Sequence, residues 1–128
     1  MGMQESQEQH QGGLILVVED DPDIGALLTN IIVQETPYGY VLATDGVQAL
    51  EIVEEMKPIL FILDYRLPIM NGIELYDRLH AIKELEHVPA MMVSAYLPER
   101  EVQERKIVGM YKPFDLSKLL DAIEMLAV

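Results

Sequence analysis

Five polar residues that directly follow short apolar runs carry the groups with which this chain could do chemistry. They are Glu19, Asp20, Asp64, Ser94 and Lys112. Two carboxylates that close a buried strand are energetically costly without a ligand or a counter-charge. Glu19 and Asp20 are therefore better explained by a binding site than by a solvated surface. The other three side chains would complete that site with a carboxylate, a hydroxyl and an ammonium group.

The acidic residues among these five favour a hard cation. Carboxylates about 4 Å apart repel by roughly 4 kcal/mol at an effective dielectric constant near 20. Holding Glu19, Asp20 and Asp64 together therefore requires a cation or a raised pKa. Mg²⁺ takes oxygen ligands and commonly uses one or two carboxylates together with waters and a phosphate oxygen. The residues thus predict Mg²⁺ as the cofactor.

Hydrophobic periodicity predicts the elements that position these residues. Apolar runs of strand length alternate with longer stretches of helical period, and a run without polar residues is typical of a strand buried on both faces. The strands are predicted at 14–18, 40–44, 59–63, 90–93 and 107–111. Five strands that alternate with about five helices indicate an α/β fold with a parallel sheet and helices on both faces. Ligands bind at the carboxyl edge of such a sheet, where all five polar residues would lie.

Composition limits the classes of protein to consider. The chain has 128 residues and a formal net charge of −13, which fits one domain, predicted at 14–128 after a flexible N-terminal tail at 1–13. The acidic excess makes direct binding to nucleic acid or to a membrane surface unexpected. The chain contains no cysteine, which excludes disulfides and CxxC zinc sites. No apolar stretch approaches the roughly 20 residues that cross a bilayer, and no secretory signal is apparent, so we expect a cytoplasmic protein.

Several conspicuous residues have a simpler structural explanation. Asp21 and Asp23 flank the start of the first predicted helix, where acidic residues cap the helix and favour its dipole. Asn71-Gly72 predicts a turn in which Gly72 takes a backbone conformation that other residues resist. The histidines fall away from the strand ends and are expected at the surface. They are His10, His80 and His87.

Four motifs follow one another at the ends of the predicted strands. They are Val17-Val18-Glu19-Asp20-Asp21, the run 63–72 that contains Asp64 and ends in Asn71-Gly72, Ser94-Ala95, and Lys112-Pro113-Phe114. In this order they resemble the receiver domain of two-component response regulators, over essentially all of 14–128. The resemblance implies a flavodoxin-like, doubly wound sheet of five parallel strands in the order 2-1-3-4-5.

The resemblance assigns metal ligands. Asp20 looks like a direct ligand, Glu19 like an acid that reaches the metal mainly through water, and Asp64 like a ligand that is also the phosphoacceptor. The backbone carbonyl of Arg66 is implied as a further ligand. The implied metal is Mg²⁺.

The resemblance also implies a function. Asp64 would take a phosphoryl group from a sensor histidine kinase or a phosphotransfer protein, while Ser94 and Lys112 would receive the phosphoryl oxygens. The Lys112-Pro113 peptide bond is often cis in this family. Such a domain catalyses only its own phosphorylation and dephosphorylation, so it is not an enzyme for other substrates. Its output is expected to pass by conformational switching to an unknown downstream protein, and homodimerisation stays open.

Two other functions compete with this one. The first is a receiver-like scaffold that works independently of phosphorylation, which the acids, Ser94 and Lys112 argue against. The second is a phosphatase with an aspartate nucleophile, a class that uses a second aspartate two residues later. Arg66 occupies that position here.

Two departures from the family pattern, and the side chains at two further positions, concern the signal. The interval from Ser94 to Lys112 is shorter than usual, so the fourth helix, within 98–106, should be short. Gly109 replaces an aromatic residue that receivers commonly use in switching, and Tyr111 and Lys112 should lie on opposite faces of their strand. Arg66 and Tyr96 occupy positions that control the approach of water, which predicts slow self-dephosphorylation because arginine has no acceptor and tyrosine is bulky.

Overall fold

A computed structural model describes residues 12–127 and contains one five-stranded sheet with helices on both faces. The strands are β1 (Leu14–Val18), β2 (Gly39–Ala43), β3 (Leu60–Leu63), β4 (Ala90–Ser94) and β5 (Val108–Tyr111). All neighbouring strands are parallel, and their order is β2-β1-β3-β4-β5. The predicted fold class is confirmed. Of the predicted tail, only Gly12 and Gly13 belong to the described residues.

Within residues 12–127, four α-helices and one short 3₁₀ helix connect the strands, and a fifth α-helix follows the last strand. They are α1 (Pro22–Glu35), α2 (Gly46–Ile52), α3 (Gly72–His80), the 3₁₀ helix Lys83–Leu85, α4 (Glu99–Glu104) and α5 (Leu116–Leu126). Polar side chains cap four of the α-helices by accepting backbone N–H bonds at their N-termini. These caps are Asp21, Asp45, Asn71 and Asp115. Asp21 therefore caps α1 as predicted, whereas Asp23 lies inside its first turn.

Strand alternation divides the core into two layers, because successive side chains point to opposite faces of a sheet. Leu16 and Phe61 belong to the layer that α2, α3 and α4 cover. Ile15 and Ile62 belong to the layer that α1 and α5 cover. The central strands are therefore buried on both faces, which explains why they read as uninterrupted apolar runs.

Several predicted boundaries were wrong by small amounts. The third and fifth strands each begin one residue later than predicted, and the fourth strand ends one residue later. The second strand begins and ends one residue earlier than predicted, since Gly39 pairs with Leu14 of β1. An apolar spacing that continues from Val47 to Met56 predicts a second helix that reaches Met56, but the helix ends at Ile52, and the turn that follows leads into Pro58, before which the helical conformation is disfavoured. The fourth helix has six residues, which confirms the prediction of a short helix.

The short α4 is tied to α3 at its C-terminal end. Arg105 makes two hydrogen bonds to the Asp77 carboxylate, at 2.7 and 2.9 Å. The Tyr76 hydroxyl donates to the backbone carbonyl of Arg105 at 3.2 Å.

Within 12–127, no helix combines the length and apolarity needed to cross a membrane.

Candidate functional site

The three predicted acids meet where β1 and β3 end side by side. Backbone bonds continue past both strands, from the Glu19 amide to the Ala43 carbonyl and from the Asp64 amide to the Val18 carbonyl, each 3.0 Å long. The first bond joins the end of β1 to β2, and the second holds the end of β3 in register with β1. One oxygen from each of Glu19, Asp20 and Asp64 lies within 4.8 Å of the others. The predicted cluster therefore forms, with Glu19 and Asp64 buried and Asp20 exposed.

Lys112 joins this cluster from the far edge of the sheet. Its Nζ lies 2.7 Å from Oε1 of Glu19 and 3.2 Å from Oδ2 of Asp64. Its backbone amide donates to the Ser94 carbonyl at 2.9 Å, which fixes the end of β5 beside the end of β4. The Lys112-Pro113 peptide bond is cis. The chain thus brings its one ammonium group in the site against two of the three carboxylates.

Burial and charge set the pKa values in this cluster. Burial raises the pKa of Glu19 from 4.5 to about 7, and the negative charge of Asp64 adds to this rise, whereas hydrogen bonds from Lys112 and from the Asp21 amide partly offset it. Burial alone would lower the pKa of Lys112, but the hydrogen bond to Glu19 and the charges of both carboxylates outweigh it and raise the pKa. One ammonium group does not balance three carboxylates, which suits the site to a further cation.

β4 extends one residue further than predicted, so Ser94 is the last residue of the strand and not the first residue after it. Its side chain is buried, and its Oγ accepts a hydrogen bond from the Tyr96 amide at 3.4 Å. A serine hydroxyl rotates and can also donate. Ser94 is therefore placed at the same edge as Asp64 with a donor available to a new acceptor.

Arg66 contacts the site through its backbone and points its side chain elsewhere. Its amide donates to Oδ1 of Asp64 at 3.3 Å. Its guanidinium carbon lies 5.4 Å from the centre of the Tyr96 ring, and the Tyr65 and Tyr96 rings are 5.6 Å apart. Arg66, Tyr65 and Tyr96 therefore form a cluster of cation–π and aromatic contacts in the segments that follow Asp64 and Ser94.

The turn after Asp64 is closed by a steric requirement at Gly72. The Gly72 amide donates to the Tyr65 carbonyl at 2.8 Å, and a Cβ atom there would lie 2.3 Å from the Asp64 carbonyl oxygen. The prediction that Gly72 takes an unusual backbone conformation was wrong, since the positive φ in this turn belongs to Ile69. Glycine is needed at position 72 because the two backbone segments approach closely.

Gly109 of β5 stands where receiver domains commonly have an aromatic residue, and neighbouring side chains occupy the space beside it. A Cβ atom on Gly109 would lie 3.0 Å from Leu97 and 3.3 Å from Val102, so these two side chains fill the space above the glycine. The Tyr111 hydroxyl donates instead to the Glu99 carboxylate at the start of α4. Tyr111 and Lys112 thus reach different partners on opposite sides of β5. The Tyr111–Glu99 contact was missed because nothing in the residue pattern fixes the position of α4.

One of the predicted surface histidines is partly buried. The Nε2 atom of His80 lies 2.7 Å from the Val88 carbonyl, and its ring centre is 4.1 Å from that of Tyr76. His80 therefore has a structural role at the C-terminal end of α3. His87 is exposed as predicted, and His10 lies outside the described residues.

The donor set fits a hard divalent cation. The cluster offers only oxygen ligands, and Asp20 opens it to solvent, from which coordinating waters can enter. The Arg66 backbone, the source of the implied carbonyl ligand, is held at the same turn by its bond to Asp64. The residues present therefore suit Mg²⁺.

Comparison with known families defines the class of protein to which this site belongs. The family model described as the response regulator receiver domain matches residues 15–124, which include all the site residues described above. The chain belongs to the response regulator receiver domain family, whose members are the receiver domains of two-component systems.

Individual relatives agree with this assignment. The chain is 35% identical over 114 residues to the sporulation initiation phosphotransferase F of Bacillus subtilis (strain 168), covering 86% of this chain and 90% of that protein. It is 34% identical over 86 residues to the sensor histidine kinase TmoS of Ectopseudomonas mendocina, covering 67% of this chain but 9% of that protein. A CheY-like receiver domain protein from Methanospirillum hungatei JF-1 has the same fold, with a TM-score of 0.82, 24% identity, and coverage of 90% of this chain and 93% of that chain.

Proposed function

We propose that this receiver domain accepts a phosphoryl group on Asp64 from a sensor histidine kinase or a phosphotransfer protein. The observation that carries the proposal is the environment of the Asp64 carboxylate. One of its oxygens lies 3.2 Å from the Lys112 ammonium, and the acids Glu19 and Asp20 lie within 4.8 Å. Relatives named as a phosphotransferase and a sensor histidine kinase support this choice of donor.

Four residues would hold Mg²⁺ in this reaction. They are Glu19, Asp20, Asp64 and, through its backbone carbonyl, Arg66. When bound, Mg²⁺ supplies positive charge beside the transferring phosphoryl oxygens, where charge stabilisation contributes most of the catalysis. Lys112, whose Nζ lies 3.2 Å from Oδ2 of Asp64, supplies the second positive charge.

The transfer itself is a simple displacement at phosphorus. An Asp64 oxygen forms the new P–O bond while the P–N bond to the donor imidazole breaks, and the bonding electron pair leaves with that nitrogen. Lys112 neutralises a phosphoryl oxygen, and the Ser94 hydroxyl donates to another. Moving the Ser94 hydroxyl from its contact with the Tyr96 amide couples phosphorylation to the β4–α4 segment, which gives the domain a switch.

The product of this reaction is a changed surface rather than a released compound. The domain acts only on its own phosphorylation and dephosphorylation in the cytoplasm, and it signals through contact with a downstream protein. The strong negative charge is consistent with a protein partner that presents basic residues.

Labelling with a small phosphodonor tests the proposal. The wild-type chain incubated with acetyl phosphate and Mg²⁺ should gain one base-labile phosphoryl group, detected by intact mass, and EDTA should prevent the gain. Asp64→Asn should abolish labelling. Asp121→Asn, which makes the same change at an exposed position on α5, should leave labelling unchanged.

The same experiment separates the receiver from a phosphorylation-independent scaffold. A correctly folded wild-type chain that takes up no phosphoryl group would favour the scaffold. Equal labelling of wild type and Asp64→Asn would show that another residue is the acceptor, which would refute the assignment of Asp64.

A further inference from the structure

The loop between β3 and α3 presents a β-branched aliphatic side chain, that of Ile69, to solvent. Leu67 and Met70 anchor this loop by packing on the core. Pro68 and Ile69 form the exposed tip of this loop. Ile69 is 73% exposed, more than any other large apolar residue in the part of the chain that the structure describes.

Ile69 also has a strained backbone. Its φ is 77°, and the Met70 amide donates to the Pro68 carbonyl at 2.9 Å across it. These two features define a three-residue γ-turn with positive φ, a rare and strained conformation. A positive φ is especially unfavourable for a β-branched residue, and glycine or asparagine would take it at lower cost.

Folding alone does not explain isoleucine at this position. Its side chain buries little surface, so the strain of the turn is not offset by packing in the free protein. Single exposed apolar residues are common on protein surfaces, and Leu27 and Met125 are examples on α1 and α5. Ile69 differs because strain and exposure coincide, and strained residues often belong to functional segments.

We infer that Ile69 is an apolar docking contact for the phosphohistidine-bearing donor protein, an inference that rests on the proposed function. A donor must bring its P–N bond to Asp64, so its surface must cover the carboxyl edge of the sheet around that residue. The loop that carries Ile69 begins directly after Asp64, and the Gly72–Tyr65 backbone bond holds the loop closed at that edge.

Charge defines the rest of the donor surface. Three exposed acids lie at the same edge of the sheet, in the loop after β1 and at the start of α1. They are Asp20, Asp21 and Asp23. The donor should therefore offer an apolar recess for Ile69 beside lysine or arginine residues that face these acids, because complementary charges steer association and apolar anchors hold the complex.

Two phosphodonors separate docking from chemistry. Acetyl phosphate has no protein surface, whereas a protein donor must dock. The protein donor is the sensor histidine kinase, autophosphorylated with ATP, that labels the wild-type chain fastest. The variants are Ile69→Gly and Ile69→Asn, which both tolerate positive φ. Met125→Gln is the matched control, because Met125 is 62% exposed in the last turn of α5, away from the site.

Both Ile69 variants should keep the thermal midpoint of the wild type or exceed it, and acetyl phosphate should label them within about twofold of the wild-type rate. Transfer from the kinase at subsaturating concentration should fall about tenfold through a raised KM, while the rate at saturation stays unchanged. Met125→Gln should behave as wild type in both assays.

Each other outcome overturns the docking role. Unchanged kinase transfer in both variants would show that Ile69 makes no important contact. An equal loss with both donors would assign the loop to positioning Asp64. Labelling of the wild type by acetyl phosphate but by no kinase would leave the phosphoacceptor role standing and refute donor docking, whereas failure with acetyl phosphate as well would refute the proposed function itself.

Discussion

The central strands and the β5 edge of the same sheet are built differently. Every residue of β3 and β4 is buried, as are four of the five residues of β1. In β5, half-buried and exposed residues alternate. Helices cover the central strands on both faces, whereas the helix beside β5, α4, has only six residues.

This difference separates the chemistry from the part of the domain that can move. Glu19, Asp64 and Ser94 stand at the ends of central strands, so packing fixes their positions. The β5–α4 region depends more on polar contacts such as Tyr111 with Glu99. Segments with few buried apolar contacts open at lower free energy than the core. A signal that starts at Asp64 should therefore change the β5–α4 region first.

Two methionine truncations test this comparison most directly. Met92→Ala in β4 should lower the free energy of unfolding by about 2–5 kcal/mol, because Met92 is completely buried and its removal leaves a cavity. Met110→Ala in β5 should cost about 1 kcal/mol, because Met110 is only partly buried. Urea unfolding measures both values. Equal losses would show that β5 is as tightly packed as the centre.

Lys112 connects the two regions, since it follows β5 while its ammonium group contacts acids of the centre. Lys112→Met keeps the side-chain length and removes the charge, so the rate of labelling by acetyl phosphate should fall about 100-fold or more. Lys118→Met, at an exposed position on α5, is the control. A rate within a few-fold of wild type would mean that the central acids and the cation suffice without Lys112.

All five strands were predictable from the sequence to within one residue at each end. The run from Leu14 to Val18 ends at Glu19, and the structure gives β1 the same bounds. The edge strand β2 was displaced by one residue because its ends depend on pairing with β1. The length of α2 was overestimated because an apolar spacing continues beyond the last helical residue, while Pro58 ahead disfavours further helix.

The site was predictable as a set of residues but not as a set of contacts. Parallel strands must bring Asp64, Ser94 and Lys112 to one edge, whatever the side-chain orientations. The bond from Lys112 to Glu19 joins residues 93 positions apart, and its length depends on packing that periodicity does not describe. The strained turn at Ile69 was missed for a related reason, since the residue type argues against the conformation that the anchored loop imposes.

The Arg66–Tyr96 contact joins the loop after Asp64 to the segment after β4. We expect this contact to determine the lifetime of the phosphorylated state. The guanidinium carbon of Arg66, two residues after Asp64 in the chain, lies 5.4 Å from the centre of the Tyr96 ring, and the group offers no acceptor to orient a water for hydrolysis. Decay of the phosphorylated chain should therefore be slow in wild type. Arg66→Asn and Tyr96→Ala should each accelerate it roughly two- to tenfold.

Exposed Arg100 on α4 provides the control for this measurement, and Arg100→Asn should leave the decay unchanged. The decay is followed by intact mass after removal of acetyl phosphate. Fast decay in wild type, or unchanged decay in both variants, would contradict the protective role of the pair.

The smallest expected effect lies at the β5–α4 contact itself. The hydrogen bond to the Glu99 carboxylate raises the pKa of Tyr111 above its usual value of 10, because the bond requires the neutral phenol and the nearby negative charge opposes ionisation. The contact therefore favours the folded β5–α4 arrangement below the pH at which an unfolded tyrosine ionises, and it is lost as pH rises through the higher folded pKa. Glu99→Gln should shift one tyrosine ionisation to lower pH in an absorbance titration, and the same substitution made together with Tyr111→Phe should produce no shift. Burial also raises the pKa of Tyr76, so the paired background is needed to assign the change to Tyr111.

Hydrogen exchange should increase above the Tyr111 pKa in α4 while β1 and β3 stay protected. Exchange that increases equally in the central strands would remove the distinction between a fixed centre and a movable edge.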